Sequence, residues 1–157
     1  AEWKPIPGSI EAIARLNQGG YRAVVATNQS GIGRGLFDMA TLNAINDKMM
    51  EMVFRQGGRI DALFFCPHTN DDNCNCRKPK TGMFEEISAR FHVDLKGVPC
   101  VGDALRDLQV ADAVGGQPIL VLTGKGPRTQ KEKGLPKKTQ VYADLAEASR
   151  HLTAPHA

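Results

Sequence analysis

Residues 66–79 read Cys-Pro-His-Thr-Asn-Asp-Asp-Asn-Cys-Asn-Cys-Arg-Lys-Pro and place four soft metal ligands directly before two adjacent cations. Cys66 with His68, and Cys74 with Cys76, are pairs separated by one residue, so their thiolate and imidazole groups can approach one tetrahedral ion. The residues between the pairs include no apolar run, so the segment needs an outside clamp, which a metal ion would supply. The pattern therefore predicts a structural zinc site at these four residues.

Two other states of these cysteines remain open from the sequence: buried thiols and disulfides. Cysteines one residue apart are poor disulfide partners for each other, and the four ligands fall within eleven residues. Both points favour zinc. Disulfides would also imply an oxidising compartment, whereas reduced, metal-binding thiols are typical of the cytoplasm.

The composition is that of one globular domain. The chain has 157 residues, of which 41% are hydrophobic and 24% charged, enough to bury a substantial core. The net charge of +3 is small, and the basic residues form no stripe interleaved with aromatics, so nucleic-acid binding is not indicated. No apolar run could cross a bilayer and no signal-like segment opens the chain. We therefore expect a cytoplasmic protein with no membrane partner.

Helix and strand patterns alternate along the chain on both sides of residues 66–79. Helical periodicity predicts helices over residues 9–18, 36–56, 82–91, 105–114 and 145–152. Short apolar runs predict strands at residues 21–26, 60–65, 98–101, 119–122 and 141–142. Residues 125–138 are predicted to be a solvated loop. This alternation implies an α/β fold with a doubly wound, mostly parallel sheet and helices on both faces.

Three predicted strands lead into polar residues that suit a phosphate and a magnesium ion. Thr27 and Asn28 follow the first strand, Arg77 and Lys78 follow the second through the cysteine loop, and Asp103 follows the third. The carboxyl ends of parallel strands converge in one crevice. Hydroxyl, N–H and cationic groups bind phosphate, and a carboxylate is a hard ligand for magnesium. Each residue alone could cap a turn or face solvent; their shared location predicts a phosphoryl-transfer site.

The chain combines four motifs: Val-Ala-Thr-Asn-Gln-Ser-Gly at residues 25–31, Cys-Pro-His at 66–68, Cys-Asn-Cys-Arg-Lys-Pro at 74–79, and Gly-Asp at 102–103 followed by Asp107. This combination resembles the haloacid dehalogenase superfamily, and more narrowly its D,D-heptose 1,7-bisphosphate phosphatases, over nearly the whole chain. Histidinol-phosphate phosphatases share the zinc loop and are the alternative. The heptose enzymes are favoured by Lys-Pro-Lys-Thr-Gly-Met at 78–83, although Thr replaces their usual second proline.

The resemblance implies a role for each matching residue, with a small-molecule phosphosugar as the partner. The implied substrate-binding residues are Thr27, Asn28, Gln29, Ser30, Arg77 and Lys78. Thr27 would bind the transferring phosphoryl group, Lys78 would neutralise charge in the transition state, and Arg77 would hold a substrate phosphate. Asp103 would bind magnesium, and Asp107 would brace its loop.

One essential feature of the family is missing from the sequence. Its members open with a strand that ends in Asp-x-Asp, where the first Asp is the nucleophile and the second is the general acid and base. No Asp precedes Asp38 here, so neither role can be assigned. We interpret residues 1–157 as a single haloacid dehalogenase-like phosphatase domain that is incomplete at its N-terminus and monomeric when complete. A non-catalytic, phosphosugar-binding relative is the alternative.

The family's sheet order places the missing strand between the strand that ends near Thr27 and the strand that ends near Asp103. These two strands are expected either to flank a gap or to pair directly with each other. The implied reaction is hydrolysis of the C7 phosphate of D-glycero-D-manno-heptose 1,7-bisphosphate, a step in the synthesis of nucleotide-activated heptose and lipopolysaccharide core precursors.

Overall fold

The computed structural model describes residues 8–28, 39–66 and 74–154, in which helices and strands alternate. In chain order the elements are α1 (Ser9–Gln18), β1 (Val24–Asn28), α2 (Met39–Arg55), β2 (Ala62–Cys66), α3 (Gly82–Phe91), β3 (Pro99–Gly102), α4 (Leu105–Ala113), β4 (Gln117–Val121), α5 (Gly126–Gln130), β5 (Gln140–Tyr142) and α6 (Leu145–Leu152). The predicted α/β class is confirmed. Among the described helices, none has the length and apolar character that crossing a membrane requires.

The sequence patterns located the elements better than their ends. The helices α1, α3 and α6 begin and end where the patterns placed them, but β1 starts three residues later than its apolar run and extends through Asn28. One prediction is wrong, because residues 125–138 are not all loop. They contain α5, a short helix with Pro127 in its first turn. The N–H groups of a first turn have no helical acceptor, so proline, which lacks an N–H, costs no hydrogen bond there.

The described strands form two parallel sheets rather than one. β1 pairs with β2, Val24 lying opposite Ala62 and Asn28 opposite Cys66. The other sheet has the order β3-β4-β5. β1 and β3 therefore do not pair with each other, which excludes the direct pairing and agrees with the first expected arrangement. Within the described ranges, no strand pairs with the second edge of β1 or with the second edge of β3.

Burial differs between these edge strands and the strand behind them. Every residue of β1 is half-buried, and Val101 in β3 is 39% exposed, whereas Pro118 to Val121 of β4 are all buried. Strands inside a doubly wound sheet are normally covered on both faces and paired on both edges. The exposure of β1 and β3 therefore shows that the described part of the chain leaves this side of each sheet open.

The core has one part beneath each sheet. Ile10, Val53 and Ile60 form a buried cluster between α1, α2 and the segment before β2, and Met49 and Met52 pack against it. On the other side, α4 and β4 bury a second set of side chains: Leu108, Val110, Ala111, Ile119 and Leu120.

The helices α1 and α6 pack together and connect the two halves. Arg15 Nη1 donates a hydrogen bond to Ser149 Oγ (3.0 Å), and Ser149 is fully buried. The Tyr21 hydroxyl donates to the backbone carbonyl of Leu152 (3.3 Å). The first and last described helices thus hold the two sheets together.

The neighbouring residues Val53 and Phe54 of α2 test where this core lies, because Val53 is fully buried and Phe54 is 76% exposed. We expect Val53→Ala to lower the free energy of unfolding by about 2 kcal/mol, since it removes buried methyl groups and leaves a cavity. Phe54→Ala, the matched control, should change it by less than about 0.5 kcal/mol. Urea unfolding followed by circular dichroism measures both values. A larger loss for Phe54→Ala would contradict this placement of the core.

Candidate active site

Lys78 is held at both ends, by β1 and by α4. Its backbone N–H donates to Asn28 Oδ1 (3.0 Å), and Asn28 Nδ2 donates to the Lys78 carbonyl (3.3 Å). Its Nζ donates to the Ala26 carbonyl (3.0 Å) and pairs with Asp107 Oδ1 (2.5 Å). Ala26 and Asn28 belong to β1, while Asp107 lies in the first turn of α4, directly after β3. This lysine therefore bridges the two sheets on the side that each leaves open.

Asp107 completes the bridge and also braces the start of α4. Its Oδ2 accepts the backbone N–H of Ala104 (3.1 Å), one of the N–H groups that a helix start leaves without a helical partner. The Lys78 and Asp107 side chains are only 11% and 14% exposed, so water screens their attraction weakly. Gly102 permits this approach, because a Cβ there would collide with the Asp107 carboxylate. The bracing role that the resemblance implied for Asp107 is thus visible as a contact.

Asp103 lies directly after β3, and the segment after β4 orients it. Its Oδ2 accepts the backbone N–H of Lys125 (2.9 Å), and its backbone carbonyl accepts the hydroxyl of Thr129 (2.7 Å), which is buried. Gly124 has φ +54° and lies where a Cβ would collide with the Asp103 carboxylate. The sequence analysis missed Lys125 and Thr129 as hydrogen-bond partners of Asp103, and Gly124 as the residue that permits this close approach.

The other predicted phosphate-site residues lie close to this bridge or outside the described ranges. Thr27 and Asn28 are the last two residues of β1, both half-buried. Arg77 precedes Lys78 on the loop between β2 and α3 and is half-buried. Gln29 and Ser30 lie outside the described residues. Thr27 therefore lies between Ala26 and Asn28, the two residues of β1 that hold Lys78. Lys78 in turn contacts Asp107, in the helix that follows Asp103.

Three cysteine sulfurs converge where this loop begins. The Sγ atoms of Cys66, Cys74 and Cys76 all lie within 4.8 Å of one another, and those of Cys66 and Cys74 are 3.4 Å apart. The sulfurs of Cys66 and Cys76 are in contact, as they would be in a disulfide or around a shared metal ion, and the Cys74 sulfur lies beside them. His68, the fourth predicted ligand, lies outside the described residues.

The Cys66–Cys76 pair is the alternative that the sequence analysis disfavoured. That analysis weighed only cysteines one residue apart, but Cys66 ends β2 and Cys76 lies on the following loop, which folds back onto it. Their Cα atoms are 5.6 Å apart, a usual separation for disulfide partners. The clustering is thus as predicted for three of the four residues, and it is compatible with a zinc-binding loop.

The loop that carries Arg77 and Lys78 is folded by its own backbone. Lys80 Nζ donates to the carbonyl of Cys74 (2.7 Å), and the Gly82 N–H donates to the carbonyl of Asn75 (2.9 Å). A Cβ on Gly82 would collide with that carbonyl, so the close return of the chain requires glycine there. The cysteine cluster and the two cations are therefore parts of one compact turn.

Cys100 is chemically different from the clustered cysteines. Burial raises its pKa to about 11, an effect that the positive charge of Lys138 partly offsets. Its thiol donates to the carbonyl of Val98 (3.3 Å) in the same strand region. Cys100 lies outside the group of cysteine sulfurs that could share a metal ion.

Comparison with known proteins agrees with this geometry. A family model described as HAD-hydrolase-like matches residues 75–148. The D-glycero-β-D-manno-heptose-1,7-bisphosphate 7-phosphatase of Bordetella bronchiseptica is 55% identical over 151 residues, covering 96% of this chain and 84% of that protein. The chain belongs to the D,D-heptose 1,7-bisphosphate phosphatase family. A member of this family from Neisseria meningitidis serogroup B is 51% identical, covering 99% of this chain and 87% of its own.

Crystal structures of heptose bisphosphate phosphatases have the same fold. That of the Bordetella bronchiseptica enzyme, complexed with magnesium and phosphate, matches with a TM-score of 0.93 over 96% of this chain and 84% of its own. The Burkholderia thailandensis enzyme, 51% identical, matches with a TM-score of 0.80 over 98% of this chain and 88% of its own. Both the predicted family and the predicted haloacid dehalogenase-like fold are confirmed.

Two aspartates of α4 test the bridge. We expect Asp107→Ala to lower the free energy of unfolding by about 3 kcal/mol, because it leaves the charge of Lys78 shielded from water without a partner. Asp112→Ala is the matched control, since Asp112 is 53% exposed and only 3.9 Å from Lys138 at its nearest contact. Its loss should be less than about 0.5 kcal/mol. Chemical unfolding at neutral pH measures both, and equal losses would show that the bridge does not stabilise the fold.

Proposed function

We propose that the protein is a magnesium-dependent phosphatase that removes the C7 phosphate of D-glycero-D-manno-heptose 1,7-bisphosphate. The observation that carries this proposal is the bridging Lys78, held between the Thr27 end of β1 and the Asp103 loop. Relatives at 50% identity or more over most of the chain are named for this reaction. In the cell the enzyme would act in the cytoplasm, in the synthesis of lipopolysaccharide core precursors.

The substrate's transferring phosphoryl group would lie beside Thr27 and Lys78. An ammonium group has three N–H donors, and Lys78 uses two of them on Ala26 and Asp107. The third has no acceptor among the described bonds, and it would bind a phosphoryl oxygen, whose growing charge a cation already in place stabilises without reorganisation. Arg77, Gln29 and Ser30 would form the remaining substrate side, with Arg77 on a phosphate because its planar fork suits that group.

Asp103 fits a magnesium ion by its chemistry and its orientation. Magnesium prefers carboxylate and phosphate oxygens. One Asp103 oxygen, Oδ2, accepts the Lys125 N–H, which fixes the direction of the carboxylate and leaves Oδ1 for the ion. When bound, magnesium would offset negative charge on the phosphoryl oxygens.

We further infer that the nucleophilic carboxylate lies on a strand between β1 and β3. Both of these strands leave one edge open in the described part of the chain, and Lys78 spans that side. A strand placed there would stand about 4.8 Å from each neighbour and would satisfy both rows of backbone groups. Its carboxyl end would emerge next to Thr27 and Asp103. No residue of 1–157 is assigned as nucleophile or as general acid and base.

The cysteine cluster fits a structural zinc ion when its thiols are reduced. Sulfurs on a tetrahedral zinc with bonds of about 2.3 Å stand about 3.8 Å apart. The Cys66 and Cys74 sulfurs are 3.4 Å apart, and all three sulfurs lie within 4.8 Å. We propose zinc bound by Cys66, Cys74, Cys76 and His68. Such an ion would hold the turn that presents Arg77 and Lys78.

Hydrolysis assays test the function. The full-length enzyme should release phosphate from heptose 1,7-bisphosphate in the presence of magnesium, with kcat/KM at least about tenfold above that for histidinol phosphate. Lys78→Ala should lower kcat by about a hundredfold or more, because it removes preorganised charge. Lys96→Ala, at the opposite, amino end of β3, is the control and should leave kcat unchanged.

Three other outcomes of these assays would each contradict a part of the proposal. Faster hydrolysis of histidinol phosphate would assign the protein to that reaction instead. Binding of heptose bisphosphate without hydrolysis, by a chain that carries the additional strand, would support a non-catalytic binding protein. Hydrolysis by residues 1–157 alone would overturn the inferred strand and place the nucleophile within these residues.

Metal content tests the zinc proposal. Protein purified under reducing conditions should contain about one zinc ion per chain, and Cys74→Ser should weaken zinc binding at least about tenfold by removing a ligand. Cys100→Ser is the control and should retain the metal. Mass spectrometry of the intact and the alkylated protein measures both metal and thiols. Absence of zinc, with two cysteines protected from alkylation until reduction, would assign Cys66 and Cys76 to a lasting disulfide.

A further inference from the structure

We infer that the side chain of Asn28 positions Lys78, rather than binding the substrate as the family resemblance implied. The inference rests on the proposed phosphatase function and adds a residue that controls where its central cation lies. It is carried by the two reciprocal hydrogen bonds between the Asn28 side chain and the Lys78 backbone.

A carboxamide is well suited to this arrangement. Asn28 Oδ1 accepts the Lys78 N–H (3.0 Å) while Asn28 Nδ2 donates to the Lys78 carbonyl (3.3 Å), so one side chain satisfies both polar groups of one residue. Both bonds are made to backbone atoms, so they hold the Lys78 backbone in any conformation of the Lys78 side chain. The bonded atoms of the amide are directed at the loop rather than towards a ligand.

Asn28 is itself fixed by the first sheet. It is the last residue of β1 and lies opposite Cys66 of β2 in the parallel register. Cys66 contacts Cys76, which is two residues before Lys78. Two neighbouring strand ends therefore hold the same turn at two points, β2 through the cysteines and β1 through Asn28.

The position of the Lys78 ammonium follows from these anchors. The lysine backbone lies at Asn28, and its Nζ reaches the Ala26 carbonyl two residues earlier in β1 (3.0 Å) before it meets Asp107. The side chain thus runs back along the strand from a starting point that Asn28 sets. Without that starting point, the loop would shift and the ammonium would leave the place where charge develops. Misplacement by about 1 Å can cost on the order of a hundredfold in rate.

Two substitutions separate positioning from substrate binding. In the full-length enzyme, Asn28→Ala should lower kcat by about 10- to 100-fold while KM changes by less than about threefold. Asn28→Asp keeps the oxygen that accepts the Lys78 N–H but loses the donor to its carbonyl. Its kcat should therefore lie between those of the wild type and Asn28→Ala.

Amide hydrogen exchange gives a readout that does not depend on turnover. The Lys78 N–H should exchange at least about tenfold faster in Asn28→Ala, because its only acceptor among the described bonds is removed, and should stay protected in Asn28→Asp. The buried β4 amides are the internal control and should be unchanged in both variants.

The outcomes separate this inference from the proposed function. A raised KM with unchanged kcat, or unchanged exchange at Lys78 in Asn28→Ala, overturns the positioning role. If the wild type hydrolyses no phosphosugar, the proposed function fails, while exchange at Lys78 still decides for or against the Asn28 contact. If Asn28→Ala does not fold, protection of the Lys78 amide in Asn28→Asp supports the inference and its loss overturns it.

Discussion

The ion pair between Lys78 and Asp107 is the contact on which the arrangement of the site depends. The described strands fall into two sheets with no strand pairing between them, so β1 and β3 are not held in register by backbone hydrogen bonds. At the carboxyl ends of these strands, the shielded cation of Lys78 and the carboxylate of Asp107 connect the two sheets instead. A charged group removed from water is costly unless it is paired. The geometry of the phosphate site therefore depends on these two side chains, while the packing of α1 against α6 also joins the two halves.

Each partner of this ion pair is held in turn by local chemistry. Asn28 and the cysteine cluster fix the loop that carries Lys78, while the Ala104 N–H and the missing Cβ of Gly102 fix Asp107. Gly102 and Asn28 thus fix the residues next to them, while the ion pair connects elements that belong to different sheets.

Much of the fold could be predicted from the sequence because it depends on local patterns. Periodicity and glycine placed α1, α3 and α6 correctly, and the Gly102-Asp103 motif marks the end of β3. What could not be predicted depends on contacts distant in sequence. The Cys66–Cys76 pair arises because a loop returns to a strand end, and Asp103 is oriented by Lys125 and Thr129, which no spacing rule connects to it. The separation of the two sheets was expected only through family resemblance.

The packing of α1 against α6 also constrains the order in which the molecule folds. Its hydrogen bond from Arg15 to Ser149 joins residues 134 positions apart, so the loop it closes includes nearly all of the described chain. Contacts of such long separation form late, because the entropy of closing the loop is lost before any packing compensates for it. During synthesis the β1-β2 half emerges first and must wait for the final helix, with the face of α1 that packs on α6 still uncovered. Assembly of this domain is therefore most vulnerable to aggregation just before its last helix is complete.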